Sequence, residues 1–359
     1  MPKAVMEEWT IAIKEVLQQG RYIGGEVVET FEKSWSSYLG VNHTVGVGNG
    51  YDAMYIALKA LKINSGDFVA VPNHTFIATW LSVNATGASP IGIDCDTNGL
   101  LDLDKLEEST IKFSAVIPVH MHGQMVDMDR LTRWATAKKI HVIEDCAQAH
   151  GAIQKNKKAG TWGDIGAFSF YPTKNLGAAG DAGAIVTDNE SLAMSIKSIA
   201  NYGSAIGNKY RYENIGINSR LDPIQAGVLS VNLKYLDKWN QLRIEIANEY
   251  NFFFRDNDIT VINDTHGSVY HHYAIRSKNR DQTRKLLTDN GIGTEIHYPE
   301  PASKTFEKLT KMNVTENQEV SLRLANETLS IPLSPWMKKE EMNYVKTIFQ
   351  KPEILETIY

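Results

Sequence analysis

The sequence predicts an α/β fold, with a large, mainly parallel sheet domain covered by helices on both faces over residues 1–240. A smaller C-terminal α+β domain is expected over 241–359. Two observations carry this. Short apolar runs alternate with helix-spaced segments through the first two-thirds of the chain, the pattern of strands joined by crossover helices. Beyond about residue 240 strand-like runs become sparse. The length of 359 residues, 43% of them hydrophobic and 22% charged, suits two domains with sizeable cores.

Taken in order, Phe68–Pro72, Pro90–Asp94, Ser114–Val119 and His141–Asp145 read as strands. Between them Thr75–Ala85 and Met128–Lys139 show helical spacing, and Gly66-Asp67, Gly87 and Pro90 mark turns. A further strand runs out through Ser169 and Phe170 and stops at Pro172. From Asp222 one long helical pattern passes through Leu229, Leu233, Leu236 and Trp239 toward Phe254 and leads out of the sheet domain. In the C-terminal part Tyr270–Arg276 and the run ending at His297 read as strands.

A net charge of −5 without a long basic run argues against a nucleic-acid partner. No stretch approaches the roughly 18 apolar residues of a membrane span, and no signal peptide is expected. The two cysteines, Cys95 and Cys146, each end a strand-like run. They are expected to be buried free thiols in a reducing cytoplasm.

Three constellations bear on chemistry. Gly46-Val47-Gly48-Asn49-Gly50-Tyr51-Asp52-Ala53 leads into a helical pattern. Unpaired N–H groups at a helix start hold phosphate, although a plain glycine turn would look the same. Val142-Ile143-Glu144-Asp145-Cys146-Ala147-Gln148 ends a strand in carboxylates, where open α/β sheets bind ligands. Asp145 would equally serve as a helix cap. Ser169-Phe170-Tyr171-Pro172-Thr173-Lys174-Asn175 puts a lysine in a tight loop, followed by Gly177, Gly180 and Gly183. His120-Met121-His122 would set two rings on one strand face. The sequence supplies no third ligand at metal spacing, so no metal is expected and one of these histidines is expected to line the site.

In this order and spacing, and together with Gly216-Ile217-Asn218-Ser219-Arg220-Leu221-Asp222-Pro223-Ile224-Gln225-Ala226, these segments resemble the DegT/StrS-type nucleotide-sugar aminotransferases over nearly the whole chain. The resemblance implies the fold-type I architecture and pyridoxal 5'-phosphate as cofactor, with pyridoxamine 5'-phosphate as its amino-loaded form. It implies that Lys174 attaches the cofactor as a Schiff base, that Asp145 pairs with the ring nitrogen and that Gln148 contacts the ring hydroxyl. By the same resemblance Phe76 stacks on the ring, and Gly50, Tyr51 and Ser169 hold the phosphate. Asn218 would reach the cofactor of a neighbouring subunit, which implies a homodimer with shared sites. Tyr171, His297, Tyr298 and Arg220 match positions near the sugar.

Lysine at 174, where some relatives carry histidine and act as dehydratases, implies transamination. The run from Asp222 to Asn240 is most similar to enzymes that use glutamate to aminate C3 of dTDP-linked 3-keto-6-deoxyhexoses, making 3-amino-3,6-dideoxyhexoses for surface polysaccharides. C4 amination of a dTDP- or UDP-linked 4-keto sugar is the alternative. One departure stands out: many relatives follow His-Tyr-Pro with histidine and glutamine positions, whereas here Glu300-Pro301-Ala302-Ser303-Lys304 follows and that polar pair is missing.

Overall fold

Apolar runs in the first half of the chain have to be buried on both sides, and a crossover-connected sheet does this. The computed structural model describes residues 1–263, 265–312 and 318–359, with residue 209 described by its backbone alone. Its centre is a seven-stranded sheet ordered His43–Val47, Gly183–Thr187, Ile165–Ser169, His141–Asp145, Ala115–Val116, Phe68–Pro72, Ser89–Ile93. From Ile165–Ser169 to Ser89–Ile93 every pairing is parallel. Gly183–Thr187 runs antiparallel to both of its neighbours, so the sheet is mixed but mainly parallel.

Helices cover both faces. One face packs Phe31, Trp35, Leu131, Phe168 and Leu229; the other packs Ile56, Leu58, Trp80, Ile143 and Ile196. A separate core is built by Tyr250, Phe254, Tyr273, Leu329, Ile348 and Phe349 around the antiparallel pair Tyr273–Arg276 and Thr328–Ile331. The first helix, Lys3–Gln19, lies on Pro223–Leu233; Trp9 Nε1 donates to Asn232 Oδ1 at 2.8 Å and the Tyr235 hydroxyl donates to Glu8. Among the described residues no helix is long and apolar enough to cross a membrane. Cys95 and Cys146 are free and buried.

Several elements differ from the sequence-based expectation. The long pattern from Asp222 is two helices, Pro223–Leu233 and Leu236–Asp256, broken at Lys234-Tyr235 with no glycine or proline to announce it. The expected strand Ser114–Val119 is reduced to Ala115–Val116, with one more bridge from Val119 to Asp145. The run ending at His297 contributes a single bridge, Glu295 to Ser330.

His120 and His122 do not share a strand face. They sit at a tight 3-10 turn, where His122 has a φ of 60°, and that change of backbone region breaks the two-residue alternation. His120 turns to Glu144 instead. Its Nδ1 accepts from the Val126 amide, so Nε2 carries the proton and donates to Glu144 at 3.0 Å. Glu144 also accepts from the amides of Gly160, Trp162 and Gly163 at 2.7–2.9 Å. His120, Glu144 and Cys146 place potential ligand atoms within 4.8 Å of one another. With four donors already on Glu144, this cluster is a hydrogen-bond hub that fixes two loops.

Candidate active site

The carboxyl ends of parallel strands gather the residues singled out above, because strand pleating and crossover direction bring loop after loop to one edge. Asp145 ends its strand buried. Its Oδ2 accepts from Thr79 Oγ1 at 2.9 Å and its Oδ1 from the Ala147 amide at 3.1 Å. A turn, not a helix, follows, so the carboxylate caps no helix. Burial raises its pKa, against the pull of those donors and of Lys174. The two donors favour its carboxylate form and leave it placed to take a cationic partner.

Gln148 is fixed in orientation. The His122 amide donates to its Oε1 at 2.6 Å, which turns its NH2 group inward, where it donates to the Tyr298 hydroxyl at 3.2 Å. A buried amide with its NH2 facing the site suits an acceptor oxygen on a ligand. Tyr298 comes from the C-terminal part of the chain, and burial raises its pKa. Phe76, 55% exposed, has its ring 5.6 Å from that of Tyr298 and forms a wall of the site's mouth.

Lys174 lies in the turn after Ser169, its amide donating to Tyr171 O at 2.8 Å. Burial lowers its pKa to about 8, with Asp145 pulling the other way. An ammonium so disfavoured loses its proton readily, the condition for a lysine nucleophile. Nearby imidazoles are also kept neutral by burial: His74 and His297 are lowered to about 4 and His150 to about 3.

The helix Gly50–Ala60 begins against the end of the Ser169 strand. Asn49 caps it, its side chain accepting from the Asp52 amide at 2.8 Å, while Gly50 and Tyr51 occupy its first turn, where amides have no intrahelical acceptor. A Cβ on Gly50 would lie 2.6 Å from Ser169 Cβ, so glycine is what lets the helix start meet the serine. A helix start of this kind can receive an anion. Gly50→Ala is expected to lower stability by about 1–3 kcal/mol through overpacking, read as a denaturant midpoint shift, and to weaken phosphate-containing ligands in a titration.

Of the proposed sugar-side residues, Tyr171 is exposed at the rim. The imidazole of His297 pairs with Ser330 Oγ at 2.9 Å and stacks on His272, ring centroids 3.8 Å apart. Asn218 and Arg220 do not join this group within one protomer. Asn218 is exposed, and Arg220 donates to Asn201 Oδ1 at 2.9 Å in a separate cavity of about 460 Å³ with Tyr202, Ser204 and Tyr212. The segment 299–304, which lacks the polar pair of many relatives, leads into the helix Ala302–Thr310, anchored by the Ala302 amide on Asn73 O. Sequence reasoning missed Thr79, because its contact with Asp145 spans 66 positions and leaves no local pattern.

Comparison with known proteins agrees with this geometry. The model of the DegT/DnrJ/EryC1/StrS aminotransferase family matches residues 4–350. A dTDP-3-amino-3,6-dideoxy-alpha-D-galactopyranose transaminase of Aneurinibacillus thermoaerophilus is 41% identical over 340 residues, 93% of this chain and 92% of its own length. A UDP-N-acetyl-3-dehydro-alpha-D-glucosamine 3-aminotransferase of Acidithiobacillus ferrooxidans is 34% identical over 349 residues, 96% of this chain and 94% of its own. Among solved structures, DesV of S. venezuelae in complex with a ketimine intermediate superimposes with a TM-score of 0.92 at 37% identity, covering 97% of this chain and 95% of that one. NtdA of Bacillus subtilis, with bound cofactor PMP, gives 0.90 at 30% identity, covering 99% and 83%. The buried carboxylate, the inward amide, the low-pKa lysine and the glycine cradle fit pyridoxal phosphate, and this chain belongs to the DegT/DnrJ/EryC1/StrS family of pyridoxal-phosphate-dependent sugar-nucleotide aminotransferases.

Proposed function

We propose that this enzyme transfers an amino group from glutamate to C3 of a dTDP-linked 3-keto-6-deoxyhexose, giving a dTDP-3-amino-3,6-dideoxyhexose. The observation that carries this is the 41% identity to a dTDP-3-amino sugar transaminase across almost both full lengths. The UDP-sugar relative is by name a 3-aminotransferase of a 3-dehydro sugar, which favours C3 over C4 and leaves a UDP-linked 3-keto sugar as the second reading. The test offers dTDP- and UDP-linked 3-keto and 4-keto sugars in parallel and reads product regiochemistry by NMR. An amino group at C4, or preference for the UDP substrate, would overturn the corresponding half of the proposal.

The residues divide the work. Bound here, pyridoxal phosphate supplies the electron sink for amino transfer. Asp145, an anion in a dry site, holds the proton on the ring nitrogen because an opposite charge favours the charged form. Gln148 would donate from its NH2 to the ring oxygen, Phe76 would cover the ring face, and Gly50, Tyr51 and Ser169 would receive the phosphate. Lys174 Nζ would be the attachment point and, as a free amine, would move the proton at the substrate carbon. Tyr171, His297 and Tyr298 line the sugar side.

Two copies complete the site in this reading. Beside Asn218 lies an exposed apolar group on and around the hairpin Ser204–Tyr212: Tyr202, Ile206, Tyr210, Tyr212 and Ile215, the last 89% exposed. A patch of this kind marks a protein interface. Docked on a second protomer, it would carry Asn218 to the partner's phosphate and Arg220 to the partner's sugar nucleotide.

The depressed pKa of Lys174 sets a pH dependence. Below about 8 the free amine falls about tenfold per pH unit. The rate at which cofactor-free protein captures pyridoxal phosphate, followed by visible absorbance, is therefore expected to rise through pH 6 and 7, roughly the ordinary assay range, and to level off above about 8.

A further inference from the structure

We propose that Asn175 is the positioning residue of Lys174, holding its loop through a one-directional hydrogen-bond chain that ends on His271. The proposal rests on Lys174 being the cofactor's attachment point. Asn175 follows Lys174 directly and is 5% exposed. Its Nδ2 donates to Asn240 Oδ1 at 2.8 Å and to Val269 O at 3.0 Å, and its Oδ1 meets His271 Nδ1 at 3.1 Å.

The direction of the chain follows from its ends. Val269 O is a carbonyl and only accepts, so the NH2 of Asn175 must face it. Asn240 Nδ2 donates to another carbonyl, His150 O, at 2.8 Å, which leaves Asn240 Oδ1 to accept from Asn175. Asn175 Oδ1 is then an acceptor, and His271 must carry its proton on Nδ1. Burial, which lowers the His271 pKa well below the ordinary value, keeps that ring neutral with one nitrogen still free of a proton.

The partners come from separate parts of the fold. Asn240 lies on the helix Leu236–Asp256, Val269 and His271 precede the strand Tyr273–Arg276, and His150 follows the turn after Asp145. From His271 the contacts continue to His272, ring centroids 4.0 Å apart, then to His297, and through adjacent Tyr298 to Gln148. The residue after the lysine is thus tied by side-chain contacts to the residue facing the cofactor's ring oxygen. A lysine in the loop between two strands has a backbone free to move by default; a buried amide with every polar atom engaged removes that freedom at the next position.

The test uses the full-length chain. In cofactor-free protein the pKa of Lys174 is read from the pH dependence of its acetylation by acetic anhydride, quantified by mass spectrometry. Asn175→Ala is expected to raise that pKa by about one unit as the loop opens to water. It should lower kcat by about tenfold to a hundredfold, with KM for the keto sugar changed far less. His271→Ala should repeat the effect, and His271→Asn, whose amide returns a donor near the Nδ1 position, should restore most of it. A folded Asn175→Ala with unmoved Lys174 pKa and kcat would overturn the proposal, as would a His271→Asn no better than His271→Ala. Should Asn175→Ala fail to fold, the His271 pair decides alone. Absence of transamination by the wild type would sink the assignment of Lys174 while the acetylation readout still judged the positioning.

Discussion

Lys174→Ala is expected to abolish turnover, by about 10³-fold or more, since in the proposed reading the substitution removes both the covalent attachment and the proton-moving amine; general acid–base work alone contributes typically 10²–10⁴-fold. The purified variant should hold pyridoxal phosphate without the visible band of the wild type, and borohydride should leave no cofactor mass on the peptide that contains position 174. The fold should survive. Lys174 sits half-buried in a turn, and among the described residues no hydrogen bond from its Nζ holds a neighbour in the way Glu144 holds its loops. A thermal midpoint equal to or above that of the wild type is therefore part of the expectation, because alanine relieves a desolvated ammonium. Residual transamination within tenfold of the wild type would reject Lys174 as the attachment point.

Asp145→Asn is expected to lower kcat by about 10²–10³-fold, the range for removing one preorganised electrostatic partner. The amide is nearly the same size; its oxygen can keep the Ala147 amide bond while its NH2 donates to the Thr79 hydroxyl, which can accept, so the geometry should hold while the charge is lost. A second effect follows from the same loss. Asp145 opposes the fall in the Lys174 pKa, so the lysine should titrate lower in this variant. The pH at which cofactor capture levels off would then shift downward, opposite to the shift expected for Asn175→Ala. A pH profile identical to that of the wild type, with kcat within threefold, would show that the carboxylate does not act on the ring nitrogen.

Much of this was legible in the sequence, for physical reasons that differ by residue. Phe68–Pro72 is an unbroken apolar run at strand length, and His141–Asp145 has Val142 and Ile143 at its centre, the trace that burial leaves in a central strand. Strand ends and a proline-stopped turn locate Asp145 and Lys174, but their roles and that of Gln148 are legible only through the family resemblance. His43–Val47 and Gly183–Thr187 escaped notice because their glycines read as turns. In the fold those glycines serve close approach: a Cβ on Gly183 would lie 2.5 Å from Asn49 O. The helix break at Lys234-Tyr235 carries no local signal either; just before it Asn232 makes tertiary hydrogen bonds to Trp9 and Gly177 that the sequence does not announce. Thr79, Asn240 and His271 act through partners 65 to 96 positions distant, and such contacts exist only once the chain is folded.

Glu144 and Asp145 are adjacent, yet the pleat of one strand sends them to opposite sides. One carboxylate anchors the scaffold through four donors; the other faces the chemistry with two. Damage at the first should register as loss of folded protein, and damage at the second as loss of turnover in protein that folds. The dipeptide is therefore a built-in pair of reporters, and the two sides of the strand can diverge under separate selection: one for a rigid frame, the other for the reaction it holds.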